Sequence, residues 1–585
     1  MRHALTITRL HRCLIAALFA SAAAMASGQG AEDDHREFGA TLDAPYSVED
    51  GGAAGAGLAG SARRDARTFT LAFDYPQVTR PQRVSWRLEL VAPSGAVVRR
   101  WQGVKRLFRQ AVQVRVRWSG RGQHAGQHAG LADGVYQVRM WAQSRNAAVR
   151  KGAGDSAGEV VEQAWDIALG APAAPPLPAF APLGTARQPP LAATPMAATA
   201  AAALPYTVYY ANLHSQTKHS DGGGAITACH GAQPPLSAPF GPVDAYTYAR
   251  EHGLDILMTS EHNHLYDGSA GSNPAASPAA ARALYRAGLD AAAAFNAAHP
   301  DFLALYGLEW GVINKGGHLN IFNSPELLQW ERDSSGQLIG DTLTEKADYA
   351  GLYTLMRQRG WFGQFNHPAT MGQFQVGGVA LGYTRDGDQA MVLCEVLNTS
   401  AFSVNTSETE TGRSTYEGAC NKALEAGFHV AFSSNQDNHC ANWGAAYSNR
   451  TGVLLPKGVA LTQASFIAAL RARRVFATMD KTAQLVLTAN GRLMGERFTS
   501  SGPLHLLANY ASSSGKRVAT VAMFEGVPGR NGVVTRLSDS ADVTLTPAPG
   551  EHFYYARLTQ SDGKMLWSAP VWVTQVAASA PAAPR

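Results

Sequence analysis

Apolar residues recur along this chain with two different spacings, and the change between them divides it. From about Thr68 to Asp166 they fall in short alternating runs: Phe69 to Phe73, Val84 to Leu90, Val112 to Trp118 and Val135 to Trp141. Gly and Pro-Ser-Gly turns separate these runs, the spacing of a small β-sandwich. A similar pattern returns over roughly 482–576, in Leu485 to Leu487, Leu504 to Leu507, Val518 to Phe524 and Val571 to Val573, and predicts a second sandwich. Residues 206–480 instead alternate strand and helix. Predicted strands are Tyr206 to Tyr210, Leu254 to Thr259, Phe302 to Leu308, His318 to Phe322, Trp361 to Asn366, Met391 to Leu397 and His429 to Ser433. Predicted helices are Val243 to His252, 278–298, Tyr349 to Arg359, Thr415 to Ala426 and Leu461 to Arg473. Repeated βα units imply a parallel sheet, open or closed into a barrel.

Composition refines this division. Residues 168–204 are rich in Ala and Pro and nearly uncharged, as in a linker. At the N-terminus Arg2, Arg9 and Arg12 precede the apolar run Leu14 to Ala26, and Ala24-Met25-Ala26 offers small residues for cleavage. That is the pattern of an export signal, and no later segment is a transmembrane candidate. The predicted organisation is a signal peptide 1–26, an N-terminal β-sandwich 40–167, the linker 168–204, a central domain 205–480 and a C-terminal β-sandwich 481–577. The implied location is exported, periplasmic or secreted. A net charge of +5 over 585 residues is no nucleic-acid signature. Cys229, Cys394, Cys420 and Cys440 remain after cleavage, enough for two disulfides with three possible connectivities. His124 and His128 lie in a Gly-containing duplication and read as loop residues.

The candidate chemistry lies where metal-ligand residue types meet strand ends. His214, Gln216 and Asp221 follow the first central strand and run into Gly222 to Gly224. Glu261-His262-Asn263-His264 follows the second, Glu309 ends the third, His367 ends the fifth, and Asp437-Asn438-His439 follows the last; His318 opens its strand. In a βα-barrel strand C-termini converge on one face, so these side chains would meet there.

The order H-x-x-x-x-x-x-D-G, T-x-E-H-N, G-x-E, H, N-H-P, E-V-x-N, D-x-H over roughly 206–480 is similar to the PHP (polymerase and histidinol phosphatase) family. That resemblance implies a distorted (β/α)7 barrel, here flanked by N- and C-terminal all-β modules. Trp118-Ser-Gly-Arg-Gly and Leu131-Ala-Asp-Gly-Val-Tyr136 in the first module resemble bacterial immunoglobulin-like domains. The PHP resemblance further implies an exported phosphoesterase with two or three divalent ions, zinc, manganese or iron. Metal-activated water would attack a phosphomonoester or phosphodiester. One ion would take His214, Glu309 and Asp437; a second would share Glu309 with His318 and His367; a third would take Asp221, His262 and His439. Glu309, His262 and Asp437 would be catalytic through these ions. Lys218, His219 and His264 are candidates for contacting substrate, and Glu261 for orienting an imidazole. Trp310 and Trp443 follow ligands closely and are candidates for the pocket mouth or for core packing. A bridge between Cys229 and Cys440, both in segments after ligand motifs, would brace the pocket rim and leave Cys394 with Cys420. An intact Cys420–Cys440 bridge would exclude that pairing.

One position departs from the family pattern. The usual His-x-His of the first motif is here His214-Ser-Gln216, and a Gln oxygen is a weaker ligand for zinc than imidazole. Two alternatives therefore stay open. One is a metallohydrolase of C–N or ester bonds; the other is a non-catalytic metal- or glycan-binding envelope protein.

Overall fold

In a strand with one face in the core and one in solvent, burial alternates. Arg67–Asp74 does so, with Phe69, Leu71 and Phe73 inward. The computed structural model describes residues 38–47, 65–75, 78, 80–120, 131–147, 158–187, 204–312, 316–530 and 534–577. The expected signal segment 1–26, His124, His128 and the end of the expected linker lie outside the described residues. Arg67–Asp74 lies between Gly39–Asp43 and Val112–Trp118 in an antiparallel sheet. Val97–Leu107, Gln82–Val91, Gly134–Asn146 and Val160–Leu169 form a second antiparallel sheet. The sheets face each other: Phe69 of the first meets Trp101 of the second edge-on, with ring centroids 5.9 Å apart.

The central region has eight principal strands: β1 (Tyr206–Asn212), β2 (Ile256–His262), β3 (Leu303–Val312), β4 (Gly317–Phe322), β5 (Phe362–Phe365), β6 (Met391–Thr399), β7 (Ala431–Asn435) and β8 (Arg450–Pro456). Most are buried from end to end, because helices or further strands cover both faces. The sheet closes into a barrel, but not of (β/α)7 type. Strands β1, β2 and β3 are parallel, as are β5, β6 and β7. Strand β4 is antiparallel to both neighbours, and β8 is antiparallel to β1. Only six α-helices occur among the described residues, so strands are not each followed by a helix. The physical reason lies in short links. Between β3 and β4 only residues 313–316 intervene, enough for a hairpin but not for the crossover that parallel pairing needs.

The sheet continues across the boundary expected at 480. Val475–Thr478 pairs with β8 on one side and with Met565–Ser568 on the other. The central sheet thus runs on into the C-terminal strands, which do not form a sandwich apart from it. A separate four-stranded sheet, Arg492–Leu493, Ala483–Ala489, Leu504–Ser512 and Asp542–Leu545, packs beside it. The segment after Leu169 is also more than a tether. The Leu183 N–H donates to Gln484 Oε1 at 2.9 Å and the Leu183 carbonyl accepts from Gln484 Nε2 at 3.0 Å. Arg187 pairs with Asp301 at 2.7 Å. Arg557 joins the three regions, reaching Glu417 at 2.7 Å and Asp166 at 3.4 Å.

Two residues before Glu309, Gly307 lets β3 and β4 approach closely. A Cβ there would lie 2.6 Å from the Ile321 carbonyl oxygen and 2.5 Å from Met258 Cε. The backbone oxygen cannot turn aside as a side chain can. Gly307→Ala is expected to cost about 1–3 kcal/mol, read as a lowered midpoint in urea unfolding.

Candidate metal centre

Register places the first donors on one face. His262 at the end of β2 sits beside Glu309 on the parallel strand β3. On the antiparallel partner β4, Asn320 lies opposite Glu309 and His318 opposite Gly311, and opposed residues share a face. Strand β1 delivers His214 and Gln216. The segment after β7 delivers Asp437 and His439. These two ends are stitched together by Asp437 N–H donating to the His214 carbonyl and Gln216 N–H to that of Asn438, both at 2.9 Å. The glycines after Asp221 have a use here, since a Cβ on Gly222 would collide with Gln216. His367 and Asp437 hold φ of +28° and +49°, a strained region for non-glycine residues and one that clusters at functional sites.

Glu309 is the hub. Its Oε2 is 3.0 Å from His214 Nε2 and 3.6 Å from His262 Nδ1, and accepts from Gln216 Nε2 at 2.5 Å. Its Oε1 is 3.1 Å from His318 Nδ1 and 3.3 Å from His367 Nε2, and accepts from Asn366 Nδ2 at 2.9 Å. Asp437 Oδ1 lies 3.1 Å from His214 Nε2. Asp221 Oδ1 lies 3.6 Å from His439 Nε2 and 3.8 Å from His262 Nε2. All nine expected ligands are buried. Seven of them form three triads of donor atoms: His214, Glu309 and His367; His262, Glu309 and His318; and Asp221, His262 and His439. Asp437, expected with His214 and Glu309, touches His214 but belongs to no triad among the described residues. The third is the set expected from the sequence. The other two share Glu309 as expected but divide the imidazoles differently, with His367 beside His214 and His262 beside His318.

The cluster's charges explain its titration. Burial pushes the Glu309 carboxyl up, but His214, His318 and His262 outweigh this and hold it well below the carboxylate range. Burial works against charge on His214, yet Asp437, Glu309 and Glu395 raise it well above the usual imidazole value. Glu261 is pushed up to about 7 by burial although Ser220 and Thr217 donate to it. His219 is pushed down to about 4 by burial and by Lys218.

Two observations fit the cluster to cations. Asp221 Oδ1 and His318 Nε2 are buried without a hydrogen-bond partner, a costly state that metal coordination relieves. Buried carboxylates need compensating charge, and among the described residues no Lys or Arg pairs with Asp221, Glu309, Glu395 or Asp437. The donor contacts of 3.0 to 3.8 Å are also short enough for bonds of about 2.0–2.2 Å to one shared ion.

Gln216 does not simply take over from an imidazole. Its amide nitrogen donates to Glu309 and its oxygen accepts from Ser220 Oγ at 2.9 Å, so it orients the hub carboxylate. Glu261 bonds Thr217 Oγ1 and Ser220 Oγ, each at 2.6 Å, and shapes the loop that carries Gln216 and Asp221. His219 Nδ1 is 2.7 Å from Tyr306 Oη. Lys218 is exposed, its side chain passing over Gly241. His264 is buried and stacks on Trp330, with centroids 5.9 Å apart. Trp310 and Trp443 are both buried, and Trp443 Nε1 donates to the Gln216 carbonyl at 2.9 Å, so neither forms a pocket mouth.

Glu395 was not among the expected ligands. Its Oε1 lies 3.2 Å from His214 Nδ1 and accepts from Asn435 Nδ2 at 3.0 Å, while Oε2 accepts from the His367 N–H at 2.8 Å. It therefore orients two of the imidazole-bearing positions. Its signal was readable as a lone carboxylate in the apolar run Met391 to Leu397. Tyr306 carried no comparable signal. The disulfides are Cys229–Cys440 and Cys394–Cys420, the pairing expected at the pocket rim. Two disulfides accord with an oxidising compartment. No helix among the described residues is long and apolar enough to cross a membrane.

No protein-family model matches the chain, and no curated protein does. Among solved structures, PsfC from Pseudomonas syringae PB-5123 is similar at 14% identity, over 46% of this chain and 90% of that one, with a TM-score of 0.27. A β-glucuronidase from Bacteroides uniformis aligns at 8% identity over 92% of this chain and 61% of that one, with a TM-score of 0.14. A β-galactosidase described as putative, from Bacteroides fragilis, aligns at 10% identity over 88% and 72%, with a TM-score of 0.14. At these scores none carries an inference to this chain.

Outer carboxylates that orient metal-binding histidines typically tune affinity by about 10–100-fold. Glu395→Ala is expected to weaken zinc or manganese binding by about that factor, measured by competition with a chromogenic chelator. Unchanged affinity in a folded variant would remove Glu395 from this role.

Proposed function

We propose that the protein is an exported metal-dependent phosphoesterase of PHP type, hydrolysing a phosphomonoester or phosphodiester. The observation that carries this reading is Glu309, a fully buried carboxylate shared by two potential metal triads with a third alongside. The order of the motifs along the chain supports it independently. Nitrogen and oxygen donors without thiolate suit zinc, manganese or iron. Bound in the triads, such ions supply Lewis acidity toward phosphoryl oxygens and a nucleophile at neutral pH.

The chain's own residues supply the rest. Glu309 and Asp437 contribute the negative charge that retains the ions. Glu395 and Gln216 fix His214 and Glu309 before substrate arrives, so that little reorganisation is needed. His262 joins the second triad to the third. His219, neutral near pH 7 and braced by Tyr306, offers a hydrogen bond rather than a counter-charge.

The test is hydrolysis of aryl phosphomonoester and phosphodiester substrates by the mature protein, after chelation and after adding back manganese or zinc. Restored turnover that falls by about 100-fold or more in Glu309→Ala and His262→Ala is the expected result. Bound metal by elemental analysis, with no turnover of either ester, would instead make this a binding protein or a hydrolase of other bonds.

A further inference from the structure

A cavity of about 200 Å³ lies where the N-terminal sheets meet the central barrel. One wall is the loop after β5, with His367, Thr370 and Met371. The other is built by Phe38, Thr41 and Glu162 of the N-terminal sheets, which contribute no metal donor. His367 is the candidate ligand that borders this space.

The lining has a definite character. Phe38 and Met371 are apolar, and Met371 is 47% exposed although large and hydrophobic. Apart from His367, the charged lining groups are the carboxylates Glu159 and Glu162, and no Lys or Arg lines the cavity among the described residues. The nearby ammonium of Lys422 donates to the Thr370 carbonyl at 2.6 Å. Glu162 accepts from Thr370 Oγ1 at 3.2 Å, coupling the N-terminal sheet directly to the loop that carries His367.

We infer that this cavity receives the alcohol half of the ester, and that it selects an alcohol of ring size without negative charge. The inference rests on the phosphoesterase reading. A phosphoryl group beside His367 would direct its ester oxygen and alcohol into the open space. In the hydrolysis, a water oxygen bonds to phosphorus, the bond from phosphorus to the alcohol oxygen breaks, and the alcohol leaves with one of the water's protons. A cavity below the roughly 300–1,000 Å³ of drug-sized sites suits one ring. A second anionic group would face two carboxylates, against one nearby cation, Lys422, whose ammonium is already held by the Thr370 carbonyl and shared with Glu162.

The experiment uses two substitutions outside the metal cluster. In Gly39–Asp43 the core-facing residues are Ala40 and Leu42, so Thr41→Trp projects away from the sandwich core into the cavity. Glu162→Lys reverses an exposed charge at its wall. Metal-restored protein is assayed with methyl, phenyl and 4-carboxyphenyl phosphate. Binding of methylphosphonate and phenylphosphonate is measured by calorimetry, independently of turnover. Thr41→Trp is expected to lower kcat/KM for phenyl phosphate, and affinity for phenylphosphonate, by about tenfold while leaving the methyl compounds within about twofold. Glu162→Lys is expected to improve 4-carboxyphenyl relative to phenyl phosphate by about fivefold. Should Thr41→Trp fail to fold, the Glu162→Lys result decides alone. Hydrolysis by the wild type with the same substrate profile in the folded variants would overturn the subsite and leave the phosphoesterase reading standing. Failure of the wild type to hydrolyse any of the three monoesters or the aryl phosphodiester would overturn both.

Discussion

One buried carboxylate organises the centre of this protein. Glu309 receives four imidazoles and two side-chain amides from strands that are distant in sequence. An ionised group so far from water is tolerated only where opposite charge and hydrogen bonds replace hydration. The surrounding chain meets that demand with a second layer. Glu395 steadies His214 and the His367 backbone, while Asn366 bonds both Glu309 and Asn320. Such a layer is expensive to bury unless its members are satisfied, and Glu395 and Asn366 each make several of these bonds.

The barrel is the consequence of bringing these ends together. Two parallel runs, β1 to β3 and β5 to β7, each deliver donors at their C-terminal ends. The antiparallel β4 between them presents His318 and Asn320 at the same level from the opposite direction. The return of β8 beside β1, and the sheet's extension through Val475–Thr478 into the C-terminal strands, close the far side. The Cys229–Cys440 bridge joins the loop after Asp221 to the segment holding His439, restraining two members of the third triad in the unfolded chain as well as the folded one.

The flanking sheets are structural partners of this centre and not appendages. Arg557, Asp166 and Glu417 join C-terminal, N-terminal and central regions through a buried charge cluster. Glu162 and Thr370 make a second join beside the loop of His367. On the proposed reading, chemistry at the donor cluster and selectivity at the neighbouring sheet could change separately, because part of the cavity wall and the donor cluster belong to different parts of the chain.

The sequence by itself marked the candidate donors, several elements and the four cysteines, but left three possible pairings among those cysteines. Tyr349–Arg359 spans the expected helix, stopped by Gly360 at φ +70°. His, Asp and Glu at strand ends were legible because strands are short and apolar, so a polar residue at their tips stands out. Glu395 was legible in the same way but stood inside a strand. Tertiary structure alone decided strand direction, since local apolar patterning is the same for parallel and antiparallel partners. That is why an array read as (β/α)7 is a mixed barrel fused to the C-terminal sheet. It also decided how His367 and His262 are shared around Glu309, the amide orientation of Gln216 and the burial of His264. These depend on which side chains a closed sheet brings within a few ångströms, and no local run of residues encodes that distance.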